Sequence, residues 1–165
     1  MPLDVPGGQT VFLDSTILHY AFVSFPGATP ACIELLGRVA RREIVGRTTA
    51  PVLNDAVHKI MCSDAVQRFN RPRAGLVPWL KAHPDHVRQL THAGGVLCLV
   101  EALSIELLPV DTAMLIDAHR VSQTCGLLAG DALLVAAMQR HDLIHLAIND
   151  DDFDCVPGLT VWKPR

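Results

Sequence analysis

Short, β-prone apolar runs alternate with helix-period patterns along this chain, and three of the runs stop at or just before an aspartate. Thr10 to Leu13 ends at Asp14, Ile105 to Val110 ends at Asp111, and Ile144 to Ile148 is followed by Asn149 and Asp150. Parallel neighbours in a sheet need a crossover of a dozen or more residues, usually a helix, and helical patterns are what lie between these runs. The alternation predicts an α/β fold, a three-layer sandwich around a central, mainly parallel sheet. Ile44 to Thr48 reads as a further short strand, and Val156 to Trp162 as a turn and an edge strand.

The helical patterns differ in what they bury. Asp14-Ser-Thr opens the apolar-periodic run Ile17 to Phe22, a strand passing directly into a helix. After the turn Pro26 to Pro30, Ile33, Leu35, Leu36, Val39 and Ala40 predict an amphipathic helix from about Ala31 to Arg42, with arginines on its outer face. Pro51 suits a helix's first turn, and Val52, Leu53, Ala56, Val57, Ile60 and Met61 form the stripe that follows. A break at Asn70 to Arg73 leads to a helical region from Pro78 to Leu90 and on to Leu103, weakened by Gly94-Gly95. Asp111 is placed to cap a helix running to Thr124, with Gly126 as its stop. Ala132 to Met138, preceded by Gly130 and Asp131, is apolar on every side and predicts a helix in the centre of the fold.

With 165 residues, the chain has room for one domain, 1–165. Half the residues are hydrophobic and only 5% aromatic, so the core is aliphatic; disorder is excluded by the same figures. The longest apolar tract, Gly94 to Val100, stops at Glu101, far short of the roughly 18 residues a membrane span needs. The opening Met1 to Gly8 has neither a basic stretch nor an apolar core of the secretory type, so a cytoplasmic location is expected. The five cysteines, 32, 62, 98, 125 and 155, form no C-x-x-C pair and are expected to be reduced and mostly buried. A net charge of -3 argues against a wholesale polyanion-binding surface, yet eight of the fourteen Lys and Arg fall between Arg38 and Arg73.

Thirteen of the seventeen acids are aspartates, a bias that suits both cation sites and helix caps. Ligands of open α/β sheets bind beyond the carboxyl ends of the strands. Asp14 and the run Asp150 to Asp152 fall there, and Asp131 sits at or beside the N-cap of the apolar helix. Each alone reads equally as a cap or a solvated turn. Three anions on one rim repel unless a cation compensates, and a hard, oxygen-seeking ion such as Mg2+ or Mn2+ matches carboxylate donors.

Four motifs together resemble the PIN domain, the metal-dependent ribonuclease fold found in the toxin half of VapBC-type toxin–antitoxin pairs. They are Val11-Phe-Leu-Asp14-Ser-Thr16, Pro51-Val-Leu-Asn-Asp55-Ala-Val-His, Leu127-Leu-Ala-Gly-Asp131-Ala-Leu-Leu and Ile148-Asn-Asp150-Asp-Asp152-Phe, followed by Pro157-Gly-Leu and Trp162-Lys-Pro. The resemblance implies an endoribonuclease in which Asp14 and Asp131 are principal ligands of one or two Mg2+ or Mn2+ ions. It further implies that Asp150 completes the cluster, Asp152 supports it and Thr16 hydrogen-bonds within it. At Asp55 the family usually has Glu, a reach longer by one methylene. Helical periodicity places Asp55 about 150° from the apolar stripe, facing away from the core. RNA as substrate, a small antitoxin protein and a homodimer are the partners the resemblance implies, with no membrane.

On that reading the arginines at 38 to 47 and 68 to 73 track an RNA backbone; as surface residues they are equally a solvated helix face. Two alternatives stand beside it. Aspartyl-phosphate chemistry needs a second acid two residues after the first, where this chain has Thr16. A non-catalytic PIN-like module that binds RNA or protein through a weakened metal site is favoured by Asp55 and opposed by Asp14, Asp131 and Asp150. None of the eight histidines falls in an H-E-x-x-H spacing, and Trp79 and Trp162 read as packing residues before base-stacking ones.

Overall fold

A computed structural model describes residues 3–154 and 156–164. The element order is β1 (Thr10–Leu13), α1 (Ser15–Phe22), α2 (Thr29–Ala40), β2 (Val45–Thr49), α3 (Ala50–Phe69), α4 (Leu76–Ala82), α5 (Pro84–Val87), α6 (Gly94–Ala102), β3 (Glu106–Leu108), α7 (Thr112–Cys125), α8 (Ala129–Arg140), β4 (His145–Ala147) and β5 (Thr160–Trp162). All five strands are parallel, in the order β3-β2-β1-β4-β5. The chain steps outward from β1 to β3, then returns across the sheet to β4, so the topological switch lies between β1 and β4.

Side-chain alternation along β1 divides the core into two layers. Val11 and Leu13 point into a cluster shared with Ile17, Leu35, Ala56 and Val96, under α1, α2, α3 and α6. Phe12 points the other way, into Met114, Val121, Ala132, Val135 and Met138 of α7 and α8. The period-2 pattern of a strand buried on both faces thus yields the predicted three-layer sandwich. A smaller cluster, Ala65, Leu76, Leu80 and Leu90, joins the far end of α3 to α4.

Several boundaries differ from the sequence expectation. The region from Pro78 to Leu103 is three short helices, because Pro84 ends α4's run and the chain turns again before Gly94. The N-cap of α8 is Leu128, and Asp131 lies one turn inside. Asp111 does cap α7, accepting from Met114 N at 2.7 Å, and Gly126 at φ 72 ends it. Of the cysteines, Cys32 alone among the four described is buried; Cys98 is exposed, and Cys155 lies outside the described residues. Among the described residues no single helix is long and apolar enough to cross a membrane.

Candidate active site

Asp14 is fixed where β1 becomes α1. Its backbone N–H donates to Ala147 O at 3.0 Å, extending the ladder between β1 and β4. Its side chain caps α1: Oδ2 accepts from Thr16 N at 2.8 Å and from Thr16 Oγ1 at 2.7 Å. A carboxylate so held is 8% exposed and keeps one oxygen, Oδ1, without these bonds. Thr16 does more than bind Asp14, because its Oγ1 also accepts from Asn149 N at 3.2 Å. That bond ties the loop after β4 to the end of β1, across the switch point.

A cleft of about 150 Å³ opens beside Asp14, lined also by Ser15, Thr49, Asp55 and Asp131 with Pro51 and Leu134 among its walls. Three of the expected residues therefore share one cavity. Asp131 faces it from the first turn of α8. Burial, then the negative charges of Asp150, Asp14 and Asp152, raise the Asp131 carboxyl above the ordinary carboxylate range. The same influences show that Asp150 and Asp152 stand within electrostatic reach of the cleft. Both are exposed, on the loop beyond β4, where Asp150 Oδ1 accepts from Asp152 N at 3.0 Å.

Asp55 faces away from the core, as periodicity required, and into the cleft. It is engaged by Lys59, one turn along α3, with Nζ 2.8 Å from Oδ2. Burial pushes the Asp55 carboxyl up, but the Lys59 ammonium and the Ser15 hydroxyl outweigh it and hold it below the usual range. Lys59 also donates to Ser15 Oγ at 2.7 Å.

The donor chemistry suits a hard divalent ion, yet no cage is preformed. Among the described residues no group of three or more His, Cys, Asp or Glu side chains is arranged to hold a metal ion. Mg2+ binds through one or two carboxylates together with water and substrate phosphate, and Asp14 and Asp131 are the residues that would hold one here. Burial first, and then the neighbouring acids, keep the Asp131 carboxyl raised.

Lys59, Ser15, Asn149 and Lys163 were missed by the sequence reading. The i,i+4 spacing of Asp55 and Lys59 was a readable signal; the others meet across long sequence separations. Lys163, 3% exposed, ties down the acidic loop by bonding Asp151 and Asp154. Arg38, Arg41 and Arg47 are taken up in ion pairs with Glu43, Glu34 and Glu106. Trp162 is buried against His145, and Trp79 packs on Phe69 with Arg71 over its ring.

An all-parallel sheet of order 3-2-1-4-5, with carboxylates gathered in a cleft at its switch point, defines an α/β protein whose candidate site is acidic. The sequence matches the PIN domain over residues 11–159, and the chain belongs to the PIN domain family. VapBC2 from Rickettsia felis, solved bound to a DNA fragment from their promoter, shares the fold: TM-score 0.57 at 14% identity, covering 93% of this chain and 98% of that one. No curated protein matches the sequence closely enough to count as a relative.

Proposed function

We propose that this chain, as one PIN domain over 1–165, is a divalent-metal-dependent endoribonuclease and the toxin of a type II toxin–antitoxin pair, acting in the cytoplasm. The observation that carries this reading is that Asp14 and Asp131 line one cleft at the switch point, with Asp131 raised by burial and by its acidic neighbours. Mg2+ or Mn2+, held by Asp14 and Asp131 with Asp150 and Asp152 at the rim, would supply Lewis acidity that activates water and offsets charge on the scissile phosphodiester. Thr16 orients Asp14 and secures the Asp150 loop, so one hydroxyl sets the spacing of both. Ser15 lines the cleft from α1 and accepts from Lys59 of α3. Arg71, over the Trp79 ring, and Arg73, which donates to Ser63 Oγ, lie beyond the end of α3 and are the cations we assign to the RNA backbone, a contact that salt would weaken.

A protein partner is supported by an apolar groove of about 320 Å³ between α1, α2 and α6, lined by Phe22, Ile33, Leu36 and Leu99. Ile33 is 54% exposed there, and contiguous exposed apolar surface marks interaction sites. The antitoxin is the occupant we assign to it; a homodimer is the competing one. The engagement of Asp55 by Lys59 favours a second reading, a PIN module that binds RNA without cutting it.

One experiment separates the two. The purified chain is incubated with a pool of structured RNA in Mg2+, in Mn2+ and in EDTA, beside Asp14→Asn and Asp131→Asn. Metal-dependent cleavage lost in both variants is the expected result. A folded wild-type chain that retards RNA but cuts none with either metal would establish the non-catalytic module instead.

A further inference from the structure

A cation stands beside the cleft, bonded to two of the residues that line it. Lys59 follows Asp55 by one turn of α3, and its ammonium bridges Asp55 Oδ2 at 2.8 Å and Ser15 Oγ at 2.7 Å. Ser15 stands 3.4 Å from both carboxylate oxygens of Asp14. A single positive charge thus links the first turn of α1 to the first half of α3, the two helices that present Asp14 and Asp55. Its influence extends to Asp131, where it opposes the three neighbouring acids. The lysine side chain is 33% exposed, sheltered enough that the pair is not a freely solvated surface contact.

Chain length matters here. Aspartate is one methylene shorter than glutamate, which keeps its carboxylate close to its own helix and within range of an i+4 lysine. A divalent ion at that corner would meet an ammonium already bonded to its ligand, and like charges at such range repel. Among the described residues no lysine or arginine is ion-paired with Asp14, Asp131 or Asp150 as Lys59 is with Asp55.

Resting on the ribonuclease reading, we propose that Lys59 is a fixed counter-cation at the Asp55 corner, so that this cleft takes a single divalent ion, on the side of Asp14, Asp131 and Asp150. Asp55 and Lys59 are then positioning residues. They hold Ser15 and the first turn of α1, and through it the carboxylate of Asp14.

Mn2+ titration of the full chain, with free Mn2+ read by electron paramagnetic resonance, tests this without reference to activity. Wild type, Asp55→Asn and Lys59→Arg should each bind one Mn2+ per chain, and Lys59→Met should gain a second. Two ions on the wild type, or loss of the ion in Asp55→Asn, would overturn the proposal while leaving a metal-dependent ribonuclease intact. A single ion in Lys59→Met, with circular dichroism showing it folded, would overturn the assigned role of the lysine. No binding by any of the four would remove the metal site itself, and the proposal with it.

Discussion

His19 joins the two helices that frame the cleft, and its burial makes their packing sensitive to acid. The ring, on α1, is 3% exposed, with Nε2 2.9 Å from Ser63 Oγ on α3, a hydroxyl that also accepts from Arg73 at 3.1 Å. Burial first, then the positive charges of Arg73 and Lys59, lower the imidazole from 6.5 to about 4. On acidification the unfolded chain takes up this proton near pH 6.5 and the folded chain only near 4. Between those values the unfolded state binds more protons, so stability falls as pH falls, at most by about 1.4 kcal/mol per pH unit. Across the window the loss is on the order of 3 kcal/mol, a large share of the roughly 5–15 kcal/mol that holds a domain of this size. Urea melts from pH 7 to 4.5 on the wild type and on His19→Gln measure it, because the glutamine amide can bond Ser63 but cannot take up a proton. The variant should lose about one proton's worth of slope between pH 6.5 and 4. Parallel decline of both proteins would mean that His19 does not titrate in that window, and the argument from burial would fail.

Two further outcomes test the cleft and the sheet. Asp131→Asn removes a carboxylate that its neighbours raise, so without divalent ions the variant should melt higher. The rise is about 2–4 °C if the relieved repulsion is about 1 kcal/mol, and Mn2+ should stabilise the variant far less than the wild type. An unchanged melting temperature without metal would deny the charge crowding. Gly46, in β2, lies where an added Cβ would come 3.1 Å from Leu13 Cδ1 and 3.2 Å from Ile105 Cγ1. Gly46→Val should therefore cost about 1–3 kcal/mol in urea denaturation, and a neutral result would refute the close packing of β2 under α2.

What was legible in the sequence was whatever local rules decide. Thr10 to Leu13 followed by Asp14 carries strand, cap and helix in seven residues, and Asp111 and Gly126 bracket α7 by capping chemistry alone. The middle of the chain was harder, because α4, α5 and α6 are short pieces whose ends are set by packing on α3 and by Pro84. Asp131, expected at or beside the cap, lies within the first turn of α8 because Leu128 initiates that helix without a side-chain bond, leaving no polar signal to read. The acidic run beyond β4 looked uniform, and only the fold divides it: Lys163 takes Asp151 and Asp154, while Asp150 and Asp152 act on Asp131.

That division gives the site a gradient of rigidity. Asp14 is immobilised by three elements at once: the β1–β4 ladder holds its backbone, α1 receives its cap, and Thr16 binds its carboxylate. Asp131 stands in the first turn of α8, a helix buried over most of its length. Asp150 rides a loop tethered at two points, by Asn149 to Thr16 and by Lys163 to the flanking acids. Asp14 and Asp131 are thus held on regular elements of the fold, whereas Asp150 sits on a tethered loop. The crowding persists in this fold: Asp131 stays raised by burial and by Asp150, Asp14 and Asp152, while Lys59 opposes the rise and Lys163 takes up Asp151 and Asp154.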